Sequence, residues 1–184
     1  ARCSVAFAYE KNICSKKMFF MAYDGTHEGF ILSDSKIKLS FNEISILKEN
    51  EYGMLINSGS PHLLIFEKNI EELNVKELGS SIRYSKKFLK EGVNVNFIEQ
   101  INKNRFKLRT YERGVEDETL SCGSGAVAAA ISAHYKGLVK NSSEILIQTL
   151  GGSLKVNFKY EKNKYYKIYL SGKAQKVFSG IISI

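Results

Sequence analysis

Ser121-Cys122-Gly123-Ser124-Gly125-Ala126-Val127-Ala128-Ala129-Ala130-Ile131-Ser132-Ala133-His134-Tyr135-Lys136-Gly137 is the stretch whose reading decides the fold. Gly123 to Lys136 is alanine-rich and apolar on nearly every side, and Gly137 supplies a C-terminal stop. A helix that is apolar all round must be surrounded by protein. Its small side chains suit close packing inside a curved sheet.

Strand-like segments lie on both sides of it. Met18 to Tyr23, Gly29 to Leu32, Ile37 to Phe41, Tyr52 to Ile56, His62 to Phe66, Val93 to Glu99 and Phe106 to Tyr111 precede it. Ile145 to Thr149, Leu154 to Phe158, Tyr165 to Leu170 and Gln175 to Phe178 follow. Two more helices are expected, over Ala1 to about Asn12 and over Ser80 to Lys90 before Gly92. Each apolar helix is trailed by a hairpin signal. Ala1 to Ala6 corresponds to Ala126 to Ile131, and the Asp24-Gly25 turn to the Gly151-Gly152 turn. This repeat predicts an α+β fold of two pseudo-symmetric halves, each a curved, mostly antiparallel sheet around a central helix. Residues 1–44 plus 171–184 are expected to be a remnant of the first half, and 45–170 the second half. Incompleteness of the first half would expose Val5, Phe7 and Phe19, so a companion segment or poor solubility is expected.

Chemistry concentrates in the polar run Tyr111 to Gly125, which leads into the buried helix. Backbone N–H groups at a helix start are unpaired and attract anions. Gly123 and Gly125 let a ligand approach the backbone closely, and the helix dipole should stabilise the Cys122 thiolate. The functional reading is a carboxylate on the N–H groups of Gly123, Ser124 and Gly125, with the Cys122 sulfur beside its α-carbon. A glycine-rich helix cap with a buried cysteine satisfies the same residues, and the pattern alone does not separate the two.

Several landmarks in order resemble the diaminopimelate epimerase family. Glu112-Arg113-Gly114, Glu118-Thr119 and Cys122-Gly123-Ser124-Gly125-Ala126 are similar to its second active-site signature. Asn57-Ser58-Gly59-Ser60-Pro61-His62 is similar to its G-x-P-H loop, and Gly92 to Phe97 to its N-x-x-F strand. Ser171 to Gly180 is similar to its closing strand. Ala1-Arg2-Cys3 looks like the end of its first signature, C-G-N-G-x-R-C. The resemblance implies epimerisation of LL- to meso-diaminopimelate, in lysine and peptidoglycan precursor synthesis, without pyridoxal phosphate, another cofactor or a metal. One cysteine thiolate removes the α-proton and a second thiol on the opposite face delivers one. By position, Cys122 is one of these thiols, and Glu112 and His62 are catalytic partners. Glu112 would also tune Cys122, and His62 would lie near the other thiol. Asn94, Glu112, Arg113, Gly123 and Ser124 would bind substrate, unless Arg113 simply pairs with Glu116 or Glu118. The family often has Asn where Ser60 stands, and Glu116-Asp117 adds a residue to the commoner spacing. The other catalytic cysteine is expected before Ala1, in an N-terminal segment outside this sequence. Cys3 should point into the core. A homodimer is implied. A related amino-acid racemase or isomerase of the same fold, or a catalytically inert fragment, are the competing readings.

Bulk properties narrow the rest. The 184 residues are 43% hydrophobic, enough for a sizeable core. Three cysteines, with no CxxC pair, form neither a disulfide framework nor a metal motif. The net charge of +8 comes from scattered lysines, without an arginine-rich helix, so a solvated surface is expected rather than nucleic-acid binding. No apolar stretch reaches bilayer length and no leader pattern is visible, so a cytoplasmic protein with no membrane partner is expected.

Overall fold

The computed structural model describes residues 1–33, 35–45, 47–139 and 144–182. The last two positions of the expected 171–184 remnant lie outside the described residues. In chain order the elements are α1 (Arg2–Glu10), β1 (Lys17–Ala22), β2 (Gly25–Ser33), β3 (Lys36–Phe41), β4 (Leu47–Asn50), β5 (Gly53–Asn57) and β6 (Pro61–Phe66). Then come α2 (Val75–Arg83), β7 (Asn94–Asn102), β8 (Arg105–Glu112), β9 (Asp117–Thr119), α3 (Gly123–Tyr135), β10 (Ile145–Thr149), β11 (Gly152–Glu161) and β12 (Lys164–Lys173).

The strands form one sheet in the order β1-β2-β3-β12-β11-β10-β8-β7-β6-β5-β4, with β9 pairing β8 off this path. Only β6–β7 and β8–β10 pair in parallel; the other pairs are antiparallel. The sheet wraps α3, which packs against β5, β6, β7, β8, β10, β11 and β12. Every residue of α3 from Gly125 to Ala133 is buried. The alanines bring the helix close to Ile98, Phe106, Ile147, Val156 and Leu170 of the surrounding strands. The fold is therefore α+β, as the alanine-rich stretch implies.

The helix-then-hairpin pattern occurs twice. After α1, the β1–β2 ladder ends at Ala22 opposite Gly25. After α3, the β10–β11 ladder ends at Thr149 opposite Gly152. Gly25 and Gly152 have φ of 123° and 125°, a region that L side chains rarely enter. Pairing of β3 with β12 makes the sheet continuous between α1 and α3.

Three expectations need correction. The middle helix runs over Val75–Arg83, not Ser80 to Lys90. Asn74 caps it by accepting from the Glu77 N–H at 3.3 Å, while its own amide donates to Glu77 Oε2 at 3.0 Å. This Asn74 cap, with its second side-chain bond to Glu77, starts the helix before Ser80. Gln175 to Phe178 is not a strand. The β12–β3 ladder ends at Lys173 opposite Lys36, where β3 begins, so later residues have no strand edge to pair with. Finally, Val5 is buried against Met18, Ile37 and Leu39, whereas Phe7 and Phe19 are exposed as expected.

Gly79 lets α2 lie directly on β8, because a methyl group there would overlap the Cβ of Tyr111. Gly79→Val is expected to lower unfolding stability by roughly 1–3 kcal/mol or more through overpacking. Urea unfolding checks this, and an unchanged midpoint would contradict it.

Candidate active site

Cys122 is the N-cap of α3, with extended φ and ψ of −112° and 113°, and is buried. Its thiol faces the backbone N–H groups of Gly125 and Ser124 and lies 3.6 Å from Ser124 Oγ. The expected depression of its pKa is not what results. Burial pushes the thiol up, the Glu112 carboxylate pushes it further, and the N–H and hydroxyl donors only partly offset them. Two of the three N–H groups assigned to a carboxylate, those of Ser124 and Gly125, thus lie on the sulfur side, although neither makes a capping hydrogen bond to it.

The sequence-predicted residues fall into two groups. Cys122, Ser124, His62 and Asn94 are brought together in one network. His62 is wholly buried, with Nε2 3.0 Å from both Ser124 Oγ and Ser60 Oγ. Burial lowers its pKa to about 3, and the charge of Arg113 acts in the same direction, so the ring is neutral near pH 7. Asn94 donates to Ser60 Oγ at 3.3 Å and to the Pro61 carbonyl at 2.9 Å, and accepts from the Arg113 N–H at 2.9 Å. Glu112 and Arg113 diverge at the end of β8. Glu112 accepts from the Thr119 hydroxyl at 2.7 Å and stays near Cys122. Arg113 donates to the Glu91 carbonyl at 2.7 Å. It does not pair with Glu116 or Glu118. Glu118 is held by Arg109 at 2.6 Å, and Glu116 lies 3.4 Å from Arg83. Between β8 and β9 the chain turns through Gly114 and Glu116, which both have positive φ.

A cavity of about 380 Å³ opens between the starts of α1 and α3, lined by Arg2, Cys3, His27, Ser60, Gly123 and Ser124 among others. Cys122 lies just behind this wall, between the lining residues Ser121 and Gly123. Cys3 is exposed on the cavity, not turned into the core as expected. The Arg2 Nε is buried without a hydrogen-bond partner, and among the described residues no carboxylate pairs with this guanidinium. The guanidinium as a whole is only half-buried, but its sheltered, unpaired Nε favours an anion in the cavity.

Sequence reasoning passed over Ser58, Asn96, Asp24 and His27. Ser58 donates to the Ser124 carbonyl at 2.8 Å, tying the loop to α3. His27, on the far cavity wall, is 2.9 Å from Asp24 Oδ1 and 3.0 Å from the Ser40 carbonyl. Asn96 carried a usable signal, because strand alternation puts it on the same face as Asn94. Among the described residues no group of three His, Cys, Asp or Glu could hold a metal. No helix among them is long and apolar enough to cross a membrane.

This sheet-wrapped architecture is that of a class of racemases, epimerases and related isomerases. A hydroxyproline epimerase from Agrobacterium vitis matches it with a TM-score of 0.60 at 14% identity, over 93% of this chain and 62% of its own. A phenazine biosynthesis protein of the PhzF family from Enterococcus faecalis matches with a TM-score of 0.54 at 17% identity, over 94% and 68%. At that identity the likeness is one of fold. Sequence goes further: the family model described as diaminopimelate epimerase matches residues 54–177. The diaminopimelate epimerase of Flavobacterium psychrophilum is 41% identical over 98% of this chain and 70% of its own length. That of Aquifex aeolicus is 35% identical over 100% and 68%. The chain belongs to the diaminopimelate epimerase family and is an isomerase of the epimerase type.

Proposed function

We propose that the chain takes part in epimerising LL-diaminopimelate to meso-diaminopimelate, in lysine and peptidoglycan precursor synthesis, with Cys122 as one of two acid/base thiols. The observation that carries this is Cys122 at the N-cap of the buried helix, behind a cavity that holds an arginine without a carboxylate partner. The substrate carboxylate would sit between Arg2 and the start of α3 at Gly123 and Ser124, which places the α-carbon near the sulfur. Cys122 thiolate takes the α-proton, and the electron pair left on carbon is delocalised into the carboxylate. A second thiol returns a proton to the opposite face, so one proton leaves, one arrives, and configuration inverts. Glu112 raises the proton affinity of Cys122, which makes the thiolate a stronger base, and binds the substrate amino group. Arg113 and Asn94 shape the end of the site nearest the distal amino-acid group. His62, neutral and buried, contributes through Ser124 rather than by taking a proton itself.

The second thiol is proposed to come from a segment preceding Ala1, next to the start of α1. Assembly as a homodimer and a cytoplasmic location belong to the same proposal. Exposed Val177, Phe178, Ile181 and Ile182 supply apolar surface for a second copy. The test is interconversion of LL- and meso-diaminopimelate, followed by chiral separation, with L-proline and L-lysine as controls. Selective interconversion supports the proposal. Turnover of proline instead would move the assignment to a related racemase. Cys3→Ser is expected to leave inversion unchanged; its loss would make Cys3 the second acid.

A further inference from the structure

We propose that Asn96 is a positioning residue for Cys122: it locks His62 in the tautomer that carries its proton on Nε2, leaving the Ser124 hydroxyl hydrogen free for the Cys122 sulfur. The catalytic consequence rests on the reading of Cys122 as an acid/base thiol; the hydrogen-bond chain does not. Asn96 is wholly buried on β7. Its side-chain nitrogen lies 3.0 Å from the carbonyls of Leu63 and Asn94, and its oxygen accepts from Thr110 Oγ1 at 3.0 Å. The reverse amide orientation would set oxygen against two carbonyl oxygens, so the nitrogen is fixed on this side. That nitrogen is also 3.1 Å from His62 Nδ1; an amide nitrogen does not accept, so Nδ1 finds no acceptor there for a hydrogen and instead shares the two N–H donors with the carbonyls.

A neutral ring with Nδ1 accepting carries its hydrogen on Nε2. Nε2–H then faces Ser124 Oγ and Ser60 Oγ, each 3.0 Å away, and takes a hydrogen from neither, so the Ser124 hydrogen is left for the sulfur 3.6 Å away. In the other tautomer Nε2 would claim that hydrogen and the thiolate would lose a donor. Gly125 allows the approach, since a methyl group there would sit 2.7 Å from Asn96 Oδ1. The chain thus runs from the interior of β7 through β6 to the cap of α3.

Two measurements on the full chain test this. Ring ¹⁵N shifts, assigned to His62 by comparison with His62→Gln, are expected to report Nε2–H and bare Nδ1 at neutral pH. A ring protonated on Nδ1, or on both nitrogens, would overturn the proposal without any variant having to fold. In a Cys3→Ser/Cys14→Ser background, iodoacetamide then reads Cys122 alone. Ser124→Ala is expected to slow alkylation about tenfold near neutral pH, the worth of a hydrogen bond to a charged sulfur. Asn96→Leu, which removes the donor to Nδ1 and frees the ring to take the other tautomer, is expected to slow alkylation in the same direction, and the double variant to add nothing to Ser124→Ala. An Asn96→Leu protein that alkylates like its parent contradicts the proposal. If both results come out as expected while diaminopimelate is not turned over, the relay stands and the substrate reading fails.

Discussion

Acid is expected to destabilise this chain from about pH 6.5 downward, well before its carboxylates titrate. The His62 pKa is about 3 in the folded chain, against an ordinary value of 6.5. The unfolded chain therefore binds one more proton than the folded chain throughout that window. Stability is whole above about pH 6.5 and falls with pH, at about 1.4 kcal/mol per unit where the difference is one full proton. The loss reaches roughly 4–5 kcal/mol near pH 3, a large part of the stability of a small protein. The cause is burial among Asn96, Ser60 and Ser124, none of which offers a negative charge to an imidazolium. His134 is also held below its ordinary value by burial and adds in the same direction. The contribution of His62 is therefore isolated by comparing slopes. Urea unfolding of the parent and of His62→Gln between pH 5 and 8 should show a shallower slope in the variant. Parallel slopes would contradict the buried, neutral ring.

With the segment that supplies the second thiol present, Cys122→Ser is expected to lower the rate of diaminopimelate interconversion about 10³-fold or more while leaving the fold intact. Sulfur and oxygen are close in size, so the α3 cap and its N–H contacts survive. An alcohol is far weaker than a thiol as an acid, and its hydroxyl will not ionise at this position, where burial and Glu112 already oppose charge. Loss of an acid/base group costs roughly 10²–10⁴-fold, and this one would act directly on the substrate carbon. KM should change little, because the carboxylate is proposed to be held by Arg2 and the helix start. A variant that keeps more than about a tenth of the parent rate would remove Cys122 from the mechanism, since such groups ordinarily supply far more than that.

The buried helix was legible because thirteen residues without a polar face admit one environment. The hairpins were legible from Gly25 and Gly152, whose positive φ leaves little choice of residue. The helix over Val75–Arg83 was displaced although its Asn74 cap and its Val75, Leu78, Ile82 spacing both stand in the sequence, because Gly92 offers a competing stop further on. The end of β12 was not legible, since whether Gln175 to Phe178 pairs depends on where β3 begins. The site was readable as a set of positions but not as chemistry. Spacing placed Cys122 at a helix start, yet the direction of its pKa depends on burial, which only packing determines. Likewise Arg113 and Glu112 are neighbours in sequence, but they diverge because one meets the Glu91 carbonyl and the other Thr119.

The most direct test of the central claim is α-proton exchange, with the chain and LL- or meso-diaminopimelate in D2O followed by NMR. Deuterium entering the α-position at a rate that disappears in Cys122→Ser is the expected result. Retained configuration would mean that Cys122 works from one face alone, and inversion that the second acid is in place. Absence of exchange with the parent chain, or exchange that survives in Cys122→Ser, would contradict the account.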